Sequence, residues 1–188
     1  MRRTTSDLRA VCRAAILDEV LRVGVAAITV EGVARRADVA KTSIYRHWPT
    51  LDDLLLEALA ESHPVETPSP AGGDLRADLL RSLDLLADWL AGPTAVVVAS
   101  ILAERDRRPD LVDALYRQVF APRGGRFTRT VMEHYAAIGQ IDYERVTDVV
   151  ADIGEALMIK HQIDTGEVPD AERRAAIVDQ AILPALGR

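Results

Sequence analysis

Three observations predict an all-α fold in two domains. Apolar residues recur at the helical spacing of three or four over nearly the whole chain. The one long stretch without that period, residues 63–73, holds Pro64, Pro68, Pro70, Gly72 and Gly73 and reads as a linker. Ahead of it, two short helical segments are separated by only a few residues, the pattern of a helix-turn-helix. The chain therefore divides into residues 1–62 and 74–188. With 188 residues, 48% of them apolar and 28% charged, it has the composition of a folded rather than a disordered protein.

The elements follow in order. Leu8, Cys12, Ile16, Leu17, Val20, Leu21 and Val23 form a wide apolar stripe, and Gly24 ends it in the manner of a left-handed cap. Thr29 is an N-cap for a helix of about two turns carrying Val30, Val33, Ala34 and Ala37. Asp38 and Val39 break it. Lys41 to His47 is helical again, and Pro49 stops it by disfavouring a helical Trp48. Thr50 caps a fourth helix with Leu51, Leu54, Leu55, Ala58 and Leu59, whose first turn bears Asp52 and Asp53, the sign a helix N-terminus favours. Past the linker, helices are expected near 74–91, 94–106, 109–138, 143–164 and 170–186, with a kink or split at Pro122, Gly124 and Gly125.

Charge separates the two parts. Residues 1–50 hold nine Lys and Arg against five Asp and Glu, whereas residues 51–188 hold 14 against 24, within a net charge of −6. A basic head on an acidic body suits a protein that meets a polyanion with one end only, although a basic segment can also be merely solvated. No run approaches the ~18 apolar residues of a membrane span, and Arg2 and Arg3 precede no apolar stretch, so no membrane partner is expected and a cytoplasmic location is. The single cysteine, Cys12, excludes an internal disulfide and reads as a packing residue. His63, His134 and His161 lack partners at ligand spacing, so no metal and no cofactor is expected. No phosphate loop, nucleophile elbow or zinc-hydrolase motif is present, which argues against an enzyme.

In a helix-turn-helix the second helix enters the major groove while the first crosses the backbone. Lys41, Thr42 and Ser43 stand in the first turn of that second helix, where they can reach base edges; Tyr45, Arg46 and His47 follow with groups suited to phosphate oxygens. Trp48 reads as a core residue locking this helix to the first and fourth, Tyr45 as part core and part contact, and Arg35 as either a weak phosphate contact or a solvated side chain. The stretch from Ala15 to Leu59, above all ITVEGVARRADVAKTSIYRHWPTLDDLLLEAL, resembles the N-terminal domain of TetR-type transcriptional regulators. That resemblance implies phosphate contacts from Thr29, Tyr45 and His47 and base proximity for Lys41, Thr42 and Ser43. Three positions depart from it: Asp38 replaces a usual Gly in the turn, Ala40 a usual capping Ser, and Leu51 a Lys at the start of the fourth helix. AERDRRPDLVDALYRQVFAPRGG resembles the ligand-binding domain of one branch of the same family.

Trp89, Tyr116, Met132 and Tyr135 are the candidates for the wall of a ligand cavity within 74–138, and the same residue types would equally fill a core. The helices near 143–164 and 170–186 are apolar over so wide an arc that each must be covered on two sides. Val149, Gly154, Ala156, Ile159, Ile177, Val178, Ala181, Ile182 and Ala185 are therefore candidates for a homodimer interface, the alternative being the interior of a monomeric bundle. A two-fold dimer agrees both with the family resemblance and with the small DNA surface that one helix-turn-helix covers. The expectation is a regulator, by default a repressor, that binds a palindromic double-stranded DNA operator as a homodimer and is released by a small, mainly apolar effector. The alternative is a helical dimeric protein-interaction module whose DNA binding is degraded by Asp38, Ala40 and Leu51.

Overall fold

The structure, a computed structural model, describes residues 4–64, 73–123 and 127–188. All regular elements among them are helical. They gather into two compact units, one made of the residues through His63 together with Gly92–Pro122, the other of Pro64–Ala91 together with Arg123–Arg188. The division expected at the linker thus differs from the compact units, because residues 92–122 pack with the N-terminal helices. A Pro/Gly-rich tract marks where a helix cannot continue, not where burial stops. Most of that tract, residues 65–72, lies outside the described residues.

In the first unit, α1 (Thr5–Val23) opens on a capping box in which Thr4 Oγ1 accepts from the Asp7 N–H and Asp7 accepts from the Thr4 N–H. It buries Cys12, Ala15, Ile16 and Val20 on one face. Gly24 ends it at φ 79°, ψ 158°. That is not the left-handed helical cap expected, but an extended conformation at positive φ that only glycine adopts readily, and it leads into a short 3₁₀ turn at Val25–Ala27. α2 (Val30–Ala37) starts where Thr29 Oγ1 accepts from the Gly32 N–H at 3.1 Å. α3 (Lys41–His47) follows after three residues, and α4 (Leu51–Ser62) begins on the Thr50/Asp53 capping box. Val33, Ile44, Trp48, Leu54, Leu55 and Leu59 close the core with α1, each at most 2% exposed. A fully buried side chain of this size contributes roughly 1.5–3 kcal/mol, so this core accounts for most of what holds three short helices together.

Two further helices complete that unit. α6 (Pro93–Ala103) packs on α1 through Val97 and Ile101, and its Ser100 hydroxyl accepts from the Val25 N–H at 3.2 Å. α7 (Pro109–Leu115) covers α4 with Leu111, Val112 and Leu115, and Arg108 Nη2 lies 2.6 Å from both carboxylate oxygens of Asp52. The single helix expected over 109–138 is broken earlier than the proline implied. It widens into a π turn at Tyr116–Phe120, tightens to 3₁₀ at Ala121–Arg123 and restarts only at Phe127; Gly124 and Gly125 lie outside the described residues.

The second unit holds α5 (Leu75–Leu90), α8 (Phe127–Ala137), α9 (Asp148–Thr165) and α10 (Ala171–Ile177), the last running through a π turn, Val178–Ile182, into α11 (Leu183–Ala185). α9 starts five residues later than expected because Asp142 caps a separate 3₁₀ turn and Thr147 caps the helix proper. Leu79, Leu83, Met132, Met158, Val178 and Ile182 are fully buried. Asp78 and Thr128 are held by polar contacts in this core: Tyr135 Oη donates to Asp78 at 2.6 Å, Arg81 meets the other Asp78 oxygen, and Thr128 Oγ1 donates to the Ala151 carbonyl at 2.8 Å. Gly154 sits against this last contact, where a Cβ would fall 2.6 Å from Thr128 Cγ2, 3.2 Å from Leu83 and 3.3 Å from Ile182. Gly154→Ala should destabilise the protein by about 1–3 kcal/mol despite the better helix propensity of alanine, as read from the denaturant midpoint. An unchanged midpoint would mean that α8 and α9 are less closely packed than a 2.6 Å approach of Thr128 to that position requires.

Candidate nucleic-acid interface

The turn between α2 and α3 decides how the second helix is presented. Asp38 adopts the left-handed conformation, φ 53° and ψ 53°, while the Val39 N–H reaches back to Ala34 O and the Asp38 N–H to Arg35 O. This is a Schellman closure with aspartate in the place where glycine is commonest, and it keeps the turn tight. Ala40 supplies no side-chain cap to α3, as its chemistry requires.

α3 is held from below and open above. Ile44 and Trp48 point inward, 1% and 2% exposed, whereas Lys41, Thr42, Tyr45 and Arg46 are exposed and Ser43 and His47 half-buried. Trp48 fulfils its expected core role with an anchor that sequence reasoning missed. Its indole Nε1 donates to Glu57 at 2.9 Å, and the same carboxylate accepts from Arg9 at 2.5 and 3.2 Å and from Arg13 at 3.1 Å. The Arg9 guanidinium also lies 5.6 Å over the Trp48 ring. Burial pushes the Glu57 carboxyl up, but the hydrogen bonds from Trp48 and the arginines outweigh it and leave the group below the usual glutamate range.

Three further ion pairs organise the surface. Glu19 is buried on the apolar face of α1 and accepts from Arg22 at 2.7 Å and Arg36 at 3.3 Å; these bonds, Arg22's first, hold its carboxyl below the usual range against burial. Gly32 makes room for it, since a Cβ there would lie 2.2 Å from Glu19 Oε1. Lys41 Nζ meets Glu31 Oε1 at 2.7 Å, with both side chains more than half exposed. Each holds the other's charge, the lysine raised and the glutamate lowered, chiefly by that hydrogen bond. Among the described residues, Arg35 and Arg46 pair with no carboxylate. The sequence signal for Glu19 was a carboxylate within an apolar stripe; for Glu57 there was none.

α3 thus displays an ammonium, two hydroxyls, a phenol and a guanidinium along one outer face, and Thr29, also exposed, stands at the N-terminus of α2. These are donors for base edges and phosphates. Of the residues expected to meet DNA, Thr29, Lys41, Thr42, Tyr45 and Arg46 are exposed and Ser43 is half-buried. His47 is turned partly toward Trp48, with ring centroids 5.6 Å apart.

The other candidate residues divide. Met132 and Tyr135 are core residues of the second unit, Trp89 is half-buried there, and Tyr116 is 48% exposed in the first unit. A cleft of about 330 Å³ in the second unit is bordered instead by Gly73, Asp74, Leu75, Arg76, Gln140, Leu183 and Arg188. Gly154, Ile177, Val178 and Ile182, expected at a dimer interface, are buried in the subunit's own core. Helix periodicity predicts that two faces are covered but not by what. Val149 and Ile159 are exposed on α9 together with Ala156, Ala181 and Ala185 are half-buried, and Ile163, not singled out from the sequence, is 75% exposed. Among the described residues no group of three His, Cys, Asp or Glu could hold a metal ion, and no single helix is long and apolar enough to cross a membrane.

Residues 14–58 match the model of bacterial regulatory proteins of the tetR family, and residues 69–181 that of the tetracyclin repressor-like C-terminal domain. The chain belongs to the TetR family. An uncharacterised HTH-type transcriptional regulator of Mycobacterium tuberculosis is 30% identical to this TetR-family chain over 161 residues, 86% of this chain and 79% of that protein. A TetR transcriptional regulator from Agrobacterium tumefaciens shares the fold with a TM-score of 0.68 at 22% identity, over 98% of this chain and 94% of that one. The multidrug binding protein EbrR complexed with ethidium does so with a TM-score of 0.59 at 21% identity, over 95% and 98%. The protein is thus a TetR-family helix-turn-helix transcriptional regulator with a tetracyclin repressor-like C-terminal domain.

The lowered carboxyls fix the sign of its acid response. A group whose folded-state value is depressed stabilises fully above its unfolded value and loses that contribution as pH falls toward the folded one. Glu57 and Glu19 should therefore make the first unit less stable as pH drops below about 4.3, the ordinary glutamate value. Glu57→Gln should flatten this dependence in urea melts at pH 3 to 6, and an equally steep loss in the variant would place the acid sensitivity elsewhere.

Proposed function

We propose that this regulator binds a palindromic operator as a homodimer, represses from it, and leaves it when a small, mainly apolar molecule occupies the C-terminal domain. The observation that carries the DNA half is the two-sided character of α3, its inner face locked by Ile44 and by Trp48 on Glu57, its outer face lined with exposed donors. A helix so anchored presents Lys41, Thr42 and Ser43 without paying the ordering cost on binding, and Tyr45, Arg46 and Thr29 supply backbone contacts that set register. The Schellman closure at Asp38 supports this reading over a protein-interaction module, since the substituted turn keeps its geometry.

Val149, Ala156, Ile159 and Ile163 follow one another at intervals of seven, three and four residues, a single apolar stripe along α9. A second copy of the same helix would cover it, and a palindromic operator would then require the two recognition helices about 34 Å apart, one turn of duplex. Ligand release then requires the effector to bind the DNA-free geometry more tightly than the DNA-bound one. That EbrR was solved with ethidium supports a flat, largely apolar effector class.

A pool of randomised duplexes tests the DNA reading. The wild type should enrich a palindrome, and Arg46→Ala should weaken binding to enriched and random duplexes alike while making the salt dependence shallower by about one unit per subunit. Enrichment of no sequence would overturn the operator. Sedimentation should give a dimer for the wild type and a folded monomer for Ile163→Glu with much reduced operator affinity. A monomeric wild type, or a dimeric variant, would overturn the α9 interface.

A further inference from the structure

The contact between Glu31 and Lys41 places a carboxylate in the middle of a surface otherwise built to meet phosphates. Glu31 lies in the first turn of α2, two residues after Thr29, and its Oε1 is 2.7 Å from Nζ of the first residue of α3. Both side chains are more than half exposed, so nothing in the packing of the unit requires the pair. Its cost falls on DNA binding. The N-terminus of a helix favours an anion, and in this position a phosphate must approach beside a fixed negative charge that also occupies the nearest ammonium.

Such an arrangement discriminates between kinds of contact. Binding to any duplex is almost wholly phosphate electrostatics, which Glu31 weakens both by repulsion and by holding Lys41 back. Base edges in the major groove offer a different match: guanine presents the O6 and N7 acceptors that a lysine reads, and its partner cytosine presents an N4 amino donor that only an acceptor such as a carboxylate can take. A lysine and a glutamate in contact carry that complementary donor and acceptor side by side.

We propose that Glu31 is a specificity-determining residue which, paired with Lys41, reads a G·C base pair in each half-site, Lys41 donating to the guanine and Glu31 accepting from the cytosine amino group. This rests on the operator reading above. Glu31 thereby lowers affinity for all other DNA and raises the ratio of operator to random binding. Thr29, which caps α2, and Arg46, which pairs with no carboxylate among the described residues, keep their phosphate roles whether or not the pair is intact.

The test is selection from a randomised duplex pool by the full-length wild type, Glu31→Gln and Lys41→Gln, followed by titration of each protein with the wild-type consensus and with a random-sequence duplex over a range of salt. The wild type should enrich a G·C pair at one symmetric position of the palindrome. Glu31→Gln should lose that preference, bind random duplex several-fold more tightly with a steeper salt dependence, and show a consensus-to-random ratio about tenfold lower. Lys41→Gln should lose the same position while binding random duplex no better than the wild type. Thermal melts should superimpose, because both side chains are exposed. Glu31→Gln that enriches the wild-type motif unchanged, or binds random duplex no more tightly, overturns the role of Glu31 while leaving the operator reading intact. A wild type that enriches no sequence overturns both.

Discussion

The DNA-binding unit depends on one carboxylate. Glu57 on α4 accepts from the indole of Trp48 at the end of α3 and from Arg9 and Arg13 on α1, so three helices meet at a single group. α3 has seven residues and no side-chain N-cap, far below the length at which a helix persists unaided. Its orientation is therefore not a property of its own sequence. Ile44 alone would let it roll, whereas a hydrogen bond at the indole edge, with a guanidinium over the ring face, fixes the roll as well as the position.

This explains what can be read from the sequence and what cannot. The caps at Thr29 and Thr50, the turn at Asp38, the aromatic lock at Trp48 and the outward set on α3 are local, since each follows from a side chain and its neighbours within one or two turns. Glu57 is not local, and Glu19 is so only in part, since Arg22 lies one turn away but Arg36 lies 17 residues on. Their partners lie up to 48 residues away, and a glutamate on a helix carries no mark of which arginine it meets. The same limit governs the second unit. Periodicity predicts that α9 and the last helix bury two faces, but assigning Gly154, Ile177, Val178 and Ile182 to a partner rather than to their own core requires knowing how helices pair. The π turns at Tyr116–Phe120 and Val178–Ile182 were invisible for a related reason, because a widened turn shifts the periodic pattern by one residue without interrupting it.

The aromatic residues of the second unit illustrate a different ambiguity. Tyr135 is of a type common in ligand pockets, yet its hydroxyl is committed to Asp78 and its ring to the interior. A buried tyrosine with a buried acid is a specific, satisfied pair that rigidifies the junction of α5 with α8.

Glu19 and Gly32 carry a consequence for descent. The carboxylate fills the space that a side chain on α2 would take, so the two positions form one historical unit. An alanine arriving first at position 32 collides with a clamped carboxylate, and an apolar residue arriving first at position 19 leaves Arg22 and Arg36 without their acceptor. Lineages should cross between the two states rarely and by paired replacement. Across relatives, a small-chain gap at the α2 position should travel with acid at the α1 position, and a filled gap with a hydrocarbon there.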